Sequence, residues 1–434
     1  MGQMKWKVAL SVMMVGVLSI VSACSPSNES STSNVAATEK GQSSGSDGQK
    51  PKKMTAVVDN NFLPYMQKIG AEFEKQYGIK VETITTDYNS LHNKLVTSLA
   101  SGDSSLDIFE TDTVWPKEFV SAGFLEPLDS YLPSGYRDNL TSTFKQFLVD
   151  DKLYAFPADN EMKFLYYNEK MLKDGGFNAP PKTWDELIQM SKDLKAKGIA
   201  KTGVAFAWKQ AEGLLCEYAL YLNAFGGKFQ DANGNWVFNE GGGLKALEFM
   251  VSMLKDKDIA DPASTTLDDG TVLNTFTGGQ IPFMLNWSFA VSALKDNKDI
   301  KLALIPGVKG GSESTSVTGG AGIGVSKFSK NKEWAGKLIQ LMSDRRNDII
   351  VSNLVGGLPP YKDMATNAEL KAKFPDLDVM NKQLDFALIR PQVAGYTDWS
   401  QNVQVAISKA LMGEKSPKDA LDEAKKKIVD SKIK

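Results

Sequence analysis

Histidine is almost absent from this chain: His92 is the only one among 434 residues. A Ser-His-Asp triad or a His-rich zinc site is therefore nearly excluded. His92 itself reads as a helix surface residue. Net charge is also scarce, at −2, so nothing in the global balance favours nucleic acid or an anionic lipid surface. The basic run Lys425–Lys427 is surrounded by acids and reads as a solvated helix face. Long apolar stretches are missing as well. The uncharged run Val8–Val21 spans 14 residues, short of the ~20 a helix needs to cross a bilayer. Cysteine occurs twice, as Cys24 and Cys216.

The first two dozen residues carry an address. Lys5 and Lys7 precede the apolar run, which ends in Val21-Ser22-Ala23-Cys24. A basic start, a short apolar stretch and small residues before a cut site form a secretory signal peptide. Cysteine directly after that site resembles the bacterial lipobox, which implies cleavage before Cys24, a lipid on its sulfur and an extracytoplasmic, membrane-anchored protein. Two acyl chains give the double signal that stable anchoring requires. Residues 24–53 then read as the lipidated cysteine and a disordered tether, too polar to form a core. Its flexible-coil span is roughly 30 Å. Cys216 is left alone, and its apolar setting from Gly213 to Leu220 reads as a buried, inert thiol.

Residues 54–434 are more than one ordinary core serves, so two domains are expected. The body opens with strand, helix, strand, helix, strand. Thr55–Val58 is β-rich, Met66, Ile69, Phe73 and Tyr77 share a helix face, and Gly78 ends that helix. Ile79–Ile84, a helix with Leu91, Leu95 and Leu99, and Leu106–Phe109 complete the series. Such alternation predicts an α/β fold with a parallel sheet. Thr183–Glu186 reads as a capping box before Leu187, Met190 and Leu194, with Gly198 as the stop. Ser416-Pro417 opens the last helix, which buries Leu421, Ala424 and Ile428.

Three tempting motifs fail. Gly41–Gly45 spells G-x-S-x-G but has neither the strand nor the helix that a nucleophile elbow needs. Asp231–Asn235 starts like a calcium loop, yet Trp236 stands where glycine is required and Gly242 where glutamate is. Asn233-Gly234 is better read as a hairpin turn. The run Gly319–Gly324 fits neither G-x-G-x-x-G nor the Walker spacing, and reads as a close backbone approach.

Several ordered blocks carry a family likeness. They are Asp107–Trp115, Gly123–Asp129, Leu153–Pro157, Leu165–Asn168, Pro181–Leu187, Asn286–Ala290, Ile323–Lys327 and Arg390-Pro391. Over residues 54–430 the chain resembles the extracellular sugar-binding proteins of ATP-driven importers, the group of the trehalose/maltose- and maltodextrin-binding proteins. The resemblance implies a two-lobe, type II periplasmic-binding-protein-like α/β fold with three interlobe crossovers, expected near Pro157, Asn286 and Gly320. The lobes would be 54–157 plus 286–319, and 158–285 plus 320–434. It further implies a monomer that traps a carbohydrate by hinge closure and passes it to membrane permease subunits, with no cofactor, metal or catalysis.

Sugar hydroxyls call for carboxylates and amides, and sugar C–H faces for aromatic rings. The resemblance places Asp112, Glu161, Trp287 and Gly320 at the ligand, with Asp159 sharing the Glu161 loop and Glu212 either a hydroxyl acceptor or a structural cap. Trp115 either lines the cleft or fills the core, and Tyr396 and Trp399 would add a platform. Trp184 and Trp334 read as helix packing. Two departures stand out: Ala321 and Ala211 replace rings that relatives carry, with Trp208 placed to compensate. Trehalose or maltose specificity therefore does not transfer. A non-sugar solute on the same fold, an anchored glycosidase using Asp112, Asp159 and Glu161, and an adhesive lipoprotein are the alternatives. The tether and anchor lean towards a Gram-positive surface.

Overall fold

The computed structural model describes residues 50–433, and the expectations for the leader, Cys24 and residues 25–49 lie outside them. The body opens as the alternation requires. Strand β1 (Lys53–Asp59) leads through helix α1 (Leu63–Tyr77) to β2 (Lys80–Thr86), then through α2 (Tyr88–Ala100) to β3 (Ile108–Asp112) and α3 (Pro116–Ser121). β1 pairs in parallel with both β2 and β3. α1 buries Tyr65, Met66, Ile69 and Phe73, and Gly78 closes it at φ +65°, donating its amide to the Glu74 carbonyl. All five residues of β3 are buried, as expected of a strand covered on both faces.

The first sheet has the order β2-β1-β3, then Ala321–Ser326, then Leu125–Glu126, with Ala155–Pro157 also paired to Ala321–Ser326. The returning strand runs antiparallel to β3, with Ala321 opposite Asp112. The second sheet runs Ala387–Leu388, Ser316–Gly319, Glu161–Asn168, Phe283–Trp287, Val204–Ala205, with Ile300–Ala303 also on Glu161–Asn168. Helix Glu212–Ala224 buries ten residues on nearly every side because it lies between this sheet and helices Gly241–Lys255 and Tyr396–Leu411.

These pairings correct the expected lobe segments. Residues 286–319 carry strands of the second sheet, whereas 321–326 belong to the first. Helices Lys332–Met342 and Arg345–Val355 also pack with the first lobe, where Ala335, Leu338, Val351 and Val355 share a core with Met66 and Phe73. Asn286 is no crossover: it sits inside a strand, opposite Phe164. The chain passes between sheets at 158–160, at Gly320 and at Gly356-Gly357. At the last of these, φ is +98° at Gly356, and Leu358 bridges to Asn160.

Local expectations met the structure in detail. Thr183 caps helix Trp184–Ala196 by accepting the Glu186 amide, but the Glu186 carboxylate takes the Lys182 amide, so the box is not reciprocal. Gln230 and Trp236 bridge antiparallel around Gly234 at φ +80°, a turn held by Asp231, whose Oδ1 accepts the Asn233 and Asn235 amides. Ser416 caps the last helix, which buries Leu421, Ala424 and Ile428. Among the described residues no helix is long and apolar enough to cross a membrane.

Candidate functional site

The strand ends of the two sheets meet at the crossovers, where α/β folds hold their ligands. A cavity of about 370 Å³ opens there, and Asp112, Asp159, Glu161, Glu212, Trp287 and Gly320 all line it. Both alanines that replace expected rings, Ala211 and Ala321, are in the wall as well.

Gly320 is the pivot of this arrangement. Gly319 pairs with Glu161 in the second sheet and Ala321 with Asp112 in the first, leaving one residue for the crossing. It takes φ +120°, and a Cβ there would stand 2.7 Å from the Asp159 carbonyl oxygen. Only glycine fits. Gly319 has a different purpose: a Cβ would meet the Trp287 ring at 2.6 Å, so its absence lets the indole lie against the backbone.

Asp112 ends β3 in a dense network. Its Oδ2 accepts the Tyr88 hydroxyl at 2.5 Å, and its Oδ1 accepts Thr113 Oγ1, the Val114 amide and Arg390 Nη2 at 3.0 to 3.1 Å. Arg390, 2% exposed, also donates Nη1 to Glu212 Oε1 at 2.7 Å. Glu212 opens its helix and further accepts Tyr396 Oη and Ser400 Oγ, both at 2.5 Å. Arg390 thus ties a first-lobe carboxylate to a second-lobe one.

A second buried cation lies under Trp287. Lys163 is fully buried, donates to Glu217 at 3.0 Å and to Asp269 at 2.7 Å, and stands 5.4 Å from the Trp287 ring centre. Burial alone would lower its pKa, but Asp269 and Glu217 outweigh that and push it up. Asp269 lines the cavity, so the ammonium orients a wall residue and borders the platform.

The remaining wall is acidic. Asp59 Oδ1 accepts the Asn61 and Phe62 amides, Glu110 Oε2 accepts the Asp59 amide, and Asp159 Oδ1 accepts the Ala321 amide at 2.8 Å. Glu161 Oε1 accepts Ser288 Oγ at 3.3 Å. Burial raises the pKa of all four, that of Asp159 to about 7, and repulsion from neighbouring carboxylates adds to it at Glu110, Asp159 and Glu161. Among the described residues no three His, Cys, Asp or Glu side chains converge to hold a metal ion.

Three expected site residues lie elsewhere. Trp115 is 5% exposed and packs behind the wall on Tyr88, ring centres 5.9 Å apart. Trp399 is fully buried against Phe229 and Trp236, where helix Tyr396–Leu411 meets its neighbours. Tyr396 is 1% exposed and reaches the site through Glu212 and, at 3.5 Å, through Arg390 Nη1. Trp208 does not compensate for Ala211: it stacks on Phe206 at 4.3 Å and donates Nε1 to Glu217. His92 is no surface residue either. It stacks on Phe119 and bonds Glu118 at 2.8 Å, with the second-lobe Thr397 hydroxyl at 3.2 Å. Cys216 lines the cavity, and burial pushes its thiol up, as befits an inert sulfur.

Sequence reasoning missed Asp59, Tyr88, Glu110, Asp269 and the role of Arg390. Asp59 had a legible signal, since a charged residue at the C-terminal end of a parallel strand faces the ligand side. Arg390 lies 278 positions from its partner Asp112, and no local pattern announces that pairing.

Comparison with known proteins fits this architecture. A binding protein of Brucella abortus (strain 2308) is 26% identical over 369 residues, covering 83% of this chain and 88% of its own. A mannitol-binding protein of Pseudomonas aeruginosa is 27% identical over 253 residues, 57% of each chain. The structure of maltose-bound T. maritima MalE3 superposes with a TM-score of 0.80 at 29% identity, over 87% of this chain and 98% of that one. The model of the bacterial extracellular solute-binding proteins matches residues 59–348. The two sheets exchange strands around an open, carboxylate-lined cavity, and the chain belongs to this extracellular solute-binding family.

Proposed function

We propose that this protein captures a carbohydrate between its lobes and delivers it to the permease of an ATP-driven importer without transforming it. The observation that carries the reading is the cavity wall. Trp287 lies close against Gly319 and offers a ring for stacking, while Glu161, Asp159 and Glu212 stand around it as hydroxyl acceptors. Carboxylates match sugar hydroxyls through charge-assisted bonds, and indole covers the C–H face. Ligand binding closes the lobes about residues 158–160, Gly320 and Gly356-Gly357, and closure is driven only by contacts stronger in the closed form. The methyl groups of Ala211 and Ala321 leave room that rings would fill, which favours an oligosaccharide or an altered linkage over trehalose or maltose.

The same reading places the protein outside the cell membrane as a monomer, anchored through lipid on Cys24 after removal of residues 1–23, on a Gram-positive surface. Replacement Cys24→Ser should release it from membranes into the medium, as followed by fractionation.

A thermal-shift screen against mono-, di- and oligosaccharides, with amino acids and polyamines as controls, tests the cargo. A ligand at 100 times its dissociation constant adds ~2.7 kcal/mol. One sugar class should shift the melt, and Trp287→Ala should weaken its binding by about 1 kcal/mol or more, roughly fivefold, by calorimetry. A shift from controls alone would overturn the carbohydrate reading, and turnover of a chromogenic glycoside would overturn the non-catalytic one.

A further inference from the structure

Charges around the cavity do not balance. Nine acidic side chains line it against two basic ones. Both bases are already engaged: Arg390 by Asp112 and Glu212, Lys209 by Asp268 at 3.2 Å. Lys163, beneath the wall, is held by Glu217 and Asp269. Asp59, Glu110, Asp159 and Glu161 are left with amide and hydroxyl donors and no cation.

Asp159 shows the deficit most directly. It is 1% exposed, and its Oδ2 has no hydrogen-bond partner. It lies beside Gly357, where a Cβ would stand 2.4 Å from that oxygen. The four carboxyls come from β1, β3, the 158–160 crossing and strand Glu161–Asn168, so both lobes bring negative charge to one cavity. Salt does little to relieve this, because screening acts over roughly 8 Å of open solution and much less between buried groups.

We propose that the cleft selects its carbohydrate by charge, admitting neutral and amine-bearing sugars and excluding uronates and sugar phosphates. This rests on the carbohydrate reading above. A neutral sugar meets acceptors, or carboxyls that keep a proton and donate. A protonated amine supplies the missing counter-charge. An additional anion meets carboxyls that have no cation left to offer and is repelled by each one that is ionised, a juxtaposition that is strongly disfavoured.

The test is calorimetric titration of the full chain with gluco-, galacto- and manno-configured mono-, di- and oligosaccharides. Each is used as the neutral sugar, the uronate, the phosphate and the 2-amino-2-deoxy form. In every configuration whose neutral form binds, the uronate and phosphate should bind roughly 30-fold or more weakly, and the amine at least as tightly as the neutral form. The double replacement Asp59→Asn, Glu161→Gln should narrow the neutral-to-uronate gap at least fivefold, with folding checked by its thermal melt. A uronate within threefold of its neutral parent, an amine weaker than that parent, or a gap unmoved by the double replacement overturns the proposal and leaves the carbohydrate reading standing. Binding by none of the sugars in any charge state overturns both.

Discussion

Gly320 occupies the single position between two strands that belong to different sheets. Its φ of +120° and the 2.7 Å approach to the Asp159 carbonyl exclude any side chain. Gly320→Ala should therefore destabilise the protein by about 1–3 kcal/mol, seen as a lowered denaturant midpoint with an unchanged slope. A neutral result would show that the crossing can relax. The same residue shows what could be read from sequence. A glycine run that fits no phosphate motif pointed to close backbone approach, and that is its use at both Gly319 and Gly320. The tryptophans were read less well. Trp287 and Trp399 have the same chemistry, yet one faces the cavity and the other is sealed against Trp236. Residue type announces a ring, and only the packing of distant helices decides which way it faces.

Strand Glu161–Asn168 is the element on which the second lobe depends. It pairs with three other strands, on Phe283–Trp287, Ile300–Ala303 and Ser316–Gly319, and it carries both the wall carboxylate Glu161 and the buried Lys163. Removing the ammonium leaves Glu217 and the inner side of Asp269 as unpaired buried acids. Lys163→Met should cost about 3–5 kcal/mol, and adding Glu217→Gln should recover part of it, measured by denaturant titration. If the single replacement costs under about 1 kcal/mol, the triad is not holding the platform. The opening strand–helix alternation was legible because its pattern is local. The lobe membership of 286–319 and 321–355 was not. Each of these stretches contains a strand of similar composition, and the sheet that a strand joins is set by partners more than 150 positions away, such as Ser316–Gly319 on Glu161–Met162.

At the scale of the whole molecule, the acidic cavity links stability to pH. The Asp159 carboxyl moves from 3.8 to about 7 on folding, chiefly through burial, and Asp59, Glu110 and Glu161 move the same way. Between those values the folded protein holds protons that the unfolded chain releases. Stability from this source is complete below about pH 4 and is lost as pH rises through about 7. The ligand-free protein should thus melt at a higher temperature at pH 5 than at pH 8, and Asp159→Asn should flatten the slope. A melt that rises over that interval would mean that the carboxyls ionise freely.

The exchange of strands between sheets also sets an order of completion. Ala321–Ser326 lies inside the first sheet, between β3 and Leu125–Glu126, although almost two hundred residues, most of them in the other lobe, separate it from Leu125–Glu126 in the chain. During synthesis, β1 to β3 emerge early and wait with one flank open until the chain has passed residue 326. The second lobe then waits for its final two helices, Tyr396–Leu411 and Pro417–Asp430. Neither half can finish alone, so the nascent chain has no early folded domain, and both lobes become complete only near the end of translation.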